Sequence, residues 1–173
     1  KTYTVTGLTS SVTKTNAGEY DTEITGTPTV WDGTKDVTEQ FQVVTTDKGK
    51  LVIEKRDVTV TAASQTREYN GSALTNSDWD VAEPTDKTGL VGNDSIANVT
   101  VTGSQMYPGE SNNTPSDAVF GTGNIANYNM IYVPGKLKVT SRTTKYVINA
   151  IAPKGTYTYD GEAHTAEGVT FQT

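Results

Sequence analysis

Apolar and polar residues alternate along most of this chain in short runs, the period-two pattern of strands with one buried and one solvated face. In Tyr3-Thr4-Val5-Thr6 the apolar Tyr3 and Val5 fall on one face. In Asp57-Val58-Thr59-Val60-Thr61 so do Val58 and Val60, with Thr on the wet face of both. The same pattern predicts strands at 41–44, 51–53, 99–101, 130–133, 137–139 and 146–148, each rich in the β-branched and aromatic residues that suit a pleated surface. Turn signals separate them: Asp32-Gly33, Asp47-Lys48-Gly49, Asn70-Gly71, Gly92-Asn93-Asp94, Pro108-Gly109, Pro134-Gly135 and Asp160-Gly161. The best helix candidate is 36–41, where Asp36 caps a turn and Glu39 sits three residues later as in a capping box. The expected class is all-β: tandem small domains, sandwiches or grasp-like sheets, in an elongated array with at most a short helical turn.

Set against itself, the chain repeats with a period of roughly 90 residues, the size of a small independent domain. Tyr69-Asn70-Gly71 recurs as Tyr159-Asp160-Gly161, and Gly18-Glu19 as Gly109-Glu110. Thr4-Val5-Thr6-Gly7 matches Thr100-Val101-Thr102-Gly103, Gln40-Phe41-Gln42-Val43 matches Asn127-Tyr128-Asn129-Met130, and Lys50-Leu51-Val52-Ile53 matches Lys136-Leu137-Lys138-Val139. This order predicts that 1–56 is the later part of one unit, 57–141 a complete middle unit, and 142–173 the start of a third or a strand-completing tail. The chain then starts and stops inside repeats. Either it is a piece of something longer, or the folded bodies have a different phase and borrow strands from their neighbours. The polar runs Glu54-Lys55-Arg56-Asp57 and 140–144 are the expected joints, and joints so short imply a stiff rod.

Composition narrows the classes. Only 34% of residues are hydrophobic, yet Val, Ile, Leu, Tyr and Trp recur throughout, which favours thin ordered β layers over disorder. The net charge is -6 and the 14 Lys and Arg are scattered, which argues against nucleic acid as a partner. No apolar run approaches the roughly 20 residues that span a bilayer, so no membrane insertion is expected. With no Cys, disulfides, thiol nucleophiles and thiolate metal sites are all excluded.

Candidate chemistry is sparse. His164 is the sole His, and its surroundings, Gly161-Glu162-Ala163-His164-Thr165, resemble neither a nucleophile elbow nor a metal-ligand spacing. It reads as a solvated turn residue. The 20 Asp and Glu leave a glycosidase-type carboxylate pair open in principle, but thin β units offer little depth for a cleft. Asn76-Ser77-Asp78, Asp80 and Asn93-Asp94 supply oxygens without the spacing of a calcium loop. The expectation is therefore no enzyme activity, no catalytic residue, no cofactor and no metal. Tyr-Asn-Gly and Tyr-Asp-Gly read as tight turns with the Tyr packed at a strand end. The candidate ligand-binding residues are aromatics at turns: Trp79 between Asp78 and Asp80, Trp31 before Asp32-Gly33, and Tyr107 before Pro108-Gly109. Trp79 leads, because its acidic neighbours are hard to bury. A Lys to Asn or Asp isopeptide bond would stiffen a Cys-free domain, though no pair stands out in the sequence.

The chain resembles the tandem MBG-type and bacterial Ig-like repeats of Gram-positive cell-surface adhesins. The resemblance rests on Asp57-Val58-Thr59-Val60, Tyr69-Asn70-Gly71, Gly89-Leu90-Val91-Gly92-Asn93-Asp94, Val101-Thr102-Gly103-Ser104-Gln105, Ala126-Asn127-Tyr128-Asn129 and Gly135-Lys136-Leu137-Lys138-Val139. It covers the middle unit well and the flanks partially, with 23–31 departing from the pattern. It implies secretion and extracellular display on the bacterial cell surface, attached to the cell wall through another part of the protein, the segment itself being monomeric within a longer chain. Two functional readings follow. The first is a host-binding adhesin module whose partner is a host glycoprotein such as immunoglobulin, or a mucin glycan. The second is a non-binding stalk repeat that projects another domain. The unequal repeats favour the first, since a pure spacer can keep its units alike.

Overall fold

A computed structural model describes residues 1–45 and 47–173. The protein is all-β; among the described residues its only helical pieces are two short 3₁₀ turns, Thr38–Gln40 and Ile125–Asn127. Among the described residues no helix is long and apolar enough to cross a membrane.

The first 55 residues carry β1 (Thr4–Ser10), β2 (Gly18–Thr22), β3 (Ile24–Asp32), β4 (Lys35–Asp36) and β5 (Gly49–Ile53). β3 pairs antiparallel with β1 and turns back into β4 through Asp32-Gly33, where Gly33 takes a φ of 61° that an L side chain resists. β2 pairs antiparallel with β5, from Gly18 opposite Ile53 to Thr22 opposite Gly49.

Next come β6 (Arg56–Ala62), β7 (Gln65–Glu68), β8 (Trp79–Val81), β9 (Ser95–Thr102), β10 (Gly109–Thr122), β11 (Tyr128–Val133) and β12 (Gly135–Thr140). They form two sheets, ordered β11-β6-β8 and β7-β12-β10-β9. β6 and β11 run parallel from Arg56 opposite Tyr128 to Thr61 opposite Val133. β7 and β12 continue the same register from Gln65 opposite Leu137 to Glu68 opposite Thr140. The Lys136 N–H donates to Ser64 Oγ at 2.9 Å between the two ladders. One parallel ribbon therefore runs from Arg56 and Tyr128 at one end to Glu68 and Thr140 at the other. Period-two patterning places Val58 and Val60 of β6 inward, where they are buried with Val99, Ala118 and Tyr128. A second cluster joins Leu137 and Val139 of β12 to Leu74, with Tyr69 packed on it.

β13 (Asn149–Ile151) and β14 (Thr170–Gln172) form an antiparallel pair in the last stretch, where no residue from 143 onward is buried.

The repeat is visible in strand register. Gly18 opposite Ile53 through Thr22 opposite Gly49 reproduces Gly109 opposite Val139 through Asn113 opposite Gly135, residue for residue. Counting from the two Tyr-Asx-Gly turns, Ala150 opposite Phe171 and Ile151 opposite Thr170 reproduce Val60 opposite Val81 and Thr61 opposite Asp80. The 3₁₀ turns ending at Phe41 and Tyr128 also correspond, each closed by that residue's N–H donating to the first carbonyl of its turn. β2 and β3 together stand where β10 stands as a single strand; the first region breaks it at Glu23. Thr4-Val5-Thr6-Gly7 is the exception among the matched segments. It opens β1 whereas Thr100-Val101-Thr102-Gly103 closes β9, so that likeness lies out of register.

Two predicted strands are not strands. Phe41 is extended but residues 41–44 pair with no strand: their counterpart β11 pairs with β6, and 1–55 hold no counterpart of β6. Residues 146–148 stand where β6 begins, but β13 opens only at Asn149. Tyr3 and Val5 share a face that remains exposed, Tyr3 resting against the Phe41 ring at 4.7 Å. At 36–41 the helical content is one 3₁₀ turn. Asp36 Oδ1 accepts from the Thr38 N–H at 2.9 Å and from its hydroxyl at 2.6 Å, which lowers the Asp36 pKa through those bonds, the hydroxyl's first.

Candidate functional site

The three candidate aromatics lie on separate elements and do not converge. Trp79 opens β8 and is half-buried, packed on the cluster around Val58 and Val60. Strand alternation turns its indole inward while Asp78 and Asp80 stay exposed, so the flanking acids do not force the ring outward. Trp31 lies in β3, half-buried, its Nε1–H donating to Thr6 Oγ1 at 2.9 Å across the β1–β3 pair. Tyr107 is the exposed one, with 65% of its surface free. Its ring stacks at 6.2 Å and 17° on Tyr69, which is itself packed on the Leu74, Leu137 and Val139 cluster. The Gln105 amide donates to the Tyr107 carbonyl at 2.7 Å, fixing the loop that carries the ring. A ring held on a packed ring presents a rigid apolar face to solvent, the kind of surface an interface anchors on.

The remaining candidates are held by local structure. Asn70 and Asp160 each accept, through Oδ1, the N–H two residues on, and the glycines between them have φ near +84° and +83°. Both Tyr-Asx-Gly sites are turns. His164 Nε2 lies 3.0 Å from Asp160 Oδ1, and its ring stacks on Tyr157 at 4.3 Å. Asn76 Oδ1 accepts from the Asp78 N–H at 2.7 Å, and Asp94 accepts from the Tyr128 hydroxyl at 2.5 Å. Among the described residues no three His, Cys, Asp or Glu side chains gather as a metal site would require. Lys136 Nζ donates to Asn112 Oδ1 at 2.8 Å across β10 and β12, an exposed side-chain hydrogen bond between neighbouring strands. The depression of about 580 Å³ beside Gln65, Asn76, Asp78 and Thr102 is wide open to solvent.

A second arrangement, absent from the motif reading, sits at the joint between β5 and β6. Only Glu54-Lys55 separates these strands. The Ala17 N–H donates to Asn127 Oδ1 at 2.9 Å, and Asn127 Nδ2 donates to Asn16 Oδ1 at 3.1 Å, so one amide grips the loop before β2 from both sides. Arg56, at the joint itself, donates to the carbonyls of Gly89 and Asp86 at 2.9 Å, Thr88 at 2.8 Å and Thr85. Arg142 occupies the matching place after β12, donating to the Tyr69 carbonyl at 3.3 Å and stacking over the Tyr146 ring at 4.1 Å. The recurrence of Arg at both joints was the available sequence signal; the Asn127 grip had none, because its partners lie more than a hundred residues away.

No family model matches the chain, and neither the curated proteins nor the solved structures contain a match to it.

Proposed function

We propose that this chain is a run of extracellular repeats from a bacterial surface protein of the MBG-type and Ig-like kind, acting as a spacer that holds another part of that protein away from the cell wall. The observation that carries this reading is the parallel ribbon of the middle unit. The chain enters it at Arg56 and leaves it at Thr140, at opposite ends. At about 3.3 Å per residue, Arg56 to Glu68 spans up to roughly 40 Å. Units that enter at one end and exit at the other add length with each repeat, and a two-residue joint, together with the Asn127 bonds to the loop before β2, limits bending. The acidic, Cys-free composition and the family resemblance support the surface location.

Passing mucosal secretion and serum at physiological salt over the immobilised chain tests the reading. The spacer should retain nothing above the empty-bead control. A single enriched immunoglobulin class or mucin would replace it with the adhesin reading, which the exposed Tyr107 ring favours. In that case Tyr107→Ala should weaken capture about tenfold or more, the range of an interface anchor.

A further inference from the structure

We propose that Asn70 is a site of spontaneous covalent modification, at which the Gly71 backbone nitrogen displaces the side-chain amide and leaves aspartate or isoaspartate in the turn that carries Tyr69. The chemistry needs a nitrogen that can reach the amide carbon, a leaving group free to depart, and water. Among all the Asn residues, Asn70 alone precedes Gly. Gly71 has no side chain to shield its nitrogen, and nothing lies within 4 Å of where a Cβ would stand. Asn70 and Gly71 are both exposed. Asn70 Oδ1 accepts the Ser72 N–H at 3.0 Å, which draws electrons from the amide carbon and holds the side chain against its own backbone. Neither Asn70 Nδ2, which must leave, nor the Gly71 N–H, which must attack, has a hydrogen-bond partner among the described residues.

The Gly71 nitrogen gives up its proton and bonds to Asn70 Cγ as the Cγ–Nδ2 bond breaks, and ammonia leaves with that proton. The cyclic imide then takes up one water. Opening at the side-chain carbonyl gives aspartate; opening at the main-chain carbonyl gives isoaspartate, in which the main chain runs through the side-chain carbon. A neutral amide becomes a carboxylate, with no oxidant or cofactor involved.

Other Asn residues lack one or more of these conditions. Asn76 and Asn124 also accept the N–H two residues on, but the side chains of Ser77 and Ile125 follow them. Asn113, Asn127 and Asn129 tie down Nδ2 by donating it, to the carbonyls of Ala63 and Asn76, to Asn16 Oδ1 and to Asp57 Oδ1.

The two products differ in effect. Aspartate fits the turn: Asp160 occupies the matching one and accepts the Glu162 N–H at 2.9 Å. Isoaspartate adds a carbon to the main chain directly after Tyr69, whose ring packs on Leu74, Leu137 and Val139 and supports Tyr107. The longer chain shifts Tyr69 against Leu74, whose N–H donates to the Gln105 carbonyl at 2.8 Å. The middle unit therefore loosens with age at the end where the chain leaves it.

The full-length chain, held in warm, mildly alkaline buffer, is followed by intact mass and peptide mapping. Asn70 should exchange its amide for a hydroxyl about tenfold faster than any other Asn, because only its neighbour leaves the backbone nitrogen unshielded. Raising the pH should speed the change, since the deprotonated nitrogen attacks. Asn70→Asp should abolish this first mass gain. In the chromatographically separated isoaspartate form, hydrogen exchange at the Leu74 amide should quicken about tenfold, while Asn70→Asp keeps the parent's rate. Conversion at Asn70 no faster than at Asn76 or Asn124, a first mass gain that survives in Asn70→Asp, or parental exchange at Leu74 in the isoaspartate form would each overturn the proposal.

Discussion

Arg56 shows how one side chain orders a whole loop. Its guanidinium donates to four carbonyls between Thr85 and Gly89, a stretch without sheet partners beyond the bridge from Asp57 to Thr88. Gly89 closes the loop at a φ of 86°, its N–H donating to the Asp57 carbonyl at 2.7 Å, and a Cβ there would lie 2.5 Å from Pro84 Cα. Arg56→Met keeps the aliphatic stem and removes the donors. It should cost about 2 kcal/mol in urea unfolding and speed hydrogen exchange at the Gly89 amide. Tyr128 offers a second single-residue test. Burial, and then its hydrogen bond to Asp94, raises the phenol pKa above its ordinary value. The stabilisation from the neutral hydroxyl is therefore complete below the ordinary phenol pKa of about 10 and is lost as pH climbs through the raised value. Wild-type stability should fall on that alkaline limb, and Tyr128→Phe should start lower and lose this part of the slope. A pH series of urea melts from 7 to 11 reads both.

At the scale of elements, the strands read from apolar alternation formed where a partner strand lies within the same unit, while strands with a polar or irregular pattern, such as β2, β3, β7, β8 and the 14-residue β10, escaped that reading. Val58 and Val60 read as an inward face and are one, because β8 and β11 flank β6 and β9 and β10 cover it. The same alternation at 41–44 and 146–148 gives no strand, since a strand needs a neighbour and local pattern does not report whether one exists. Trp79 illustrates the limit for sites: its acidic neighbours suggested exposure, but alternate residues of a strand face opposite ways. Cross-strand charge is conserved in place but not in position. Glu19 pairs with Lys50 at 2.8 Å and Glu110 with Lys138 at 2.8 Å, each carboxyl held below and each ammonium above its ordinary pKa by the shared bond. These pairs are exposed, so salt screens them. The buried polar element is Asn113, whose Nδ2 bridges the carbonyls of Ala63 at 2.9 Å and Asn76 at 3.0 Å where β10 passes from β12 to β9. Asn113→Ala strands both carbonyls and should cost about 2–3 kcal/mol in chemical denaturation. The matching residue of the first region is Thr22, which carries no amide to make that bridge.

Across the whole molecule, stability is concentrated in 56–141. Every buried apolar side chain of the core belongs to that stretch except Val30, and from 143 onward each residue is exposed. An isolated two-stranded pair is marginal in water, so β13 and β14 open independently while β6, β10 and β12 open only with the unit. Hydrogen exchange should leave the β13 and β14 amides nearly unprotected and retain protection longest in β6 and β12. The first region should fall between, since β1–β3 and β2–β5 are paired but share little core. A chain ending at Tyr146 tests the same distribution by heating. It keeps the bonds of Arg142 to Tyr69 and of Thr143 to Glu68 and loses only exposed residues. Its melting temperature should lie within about 3 °C of the parent, less than the shift of about 4–8 °C that each kcal/mol gives in a cooperative unit the size of 56–141. A larger drop would mean that the last stretch stabilises the core through contacts beyond those two bonds.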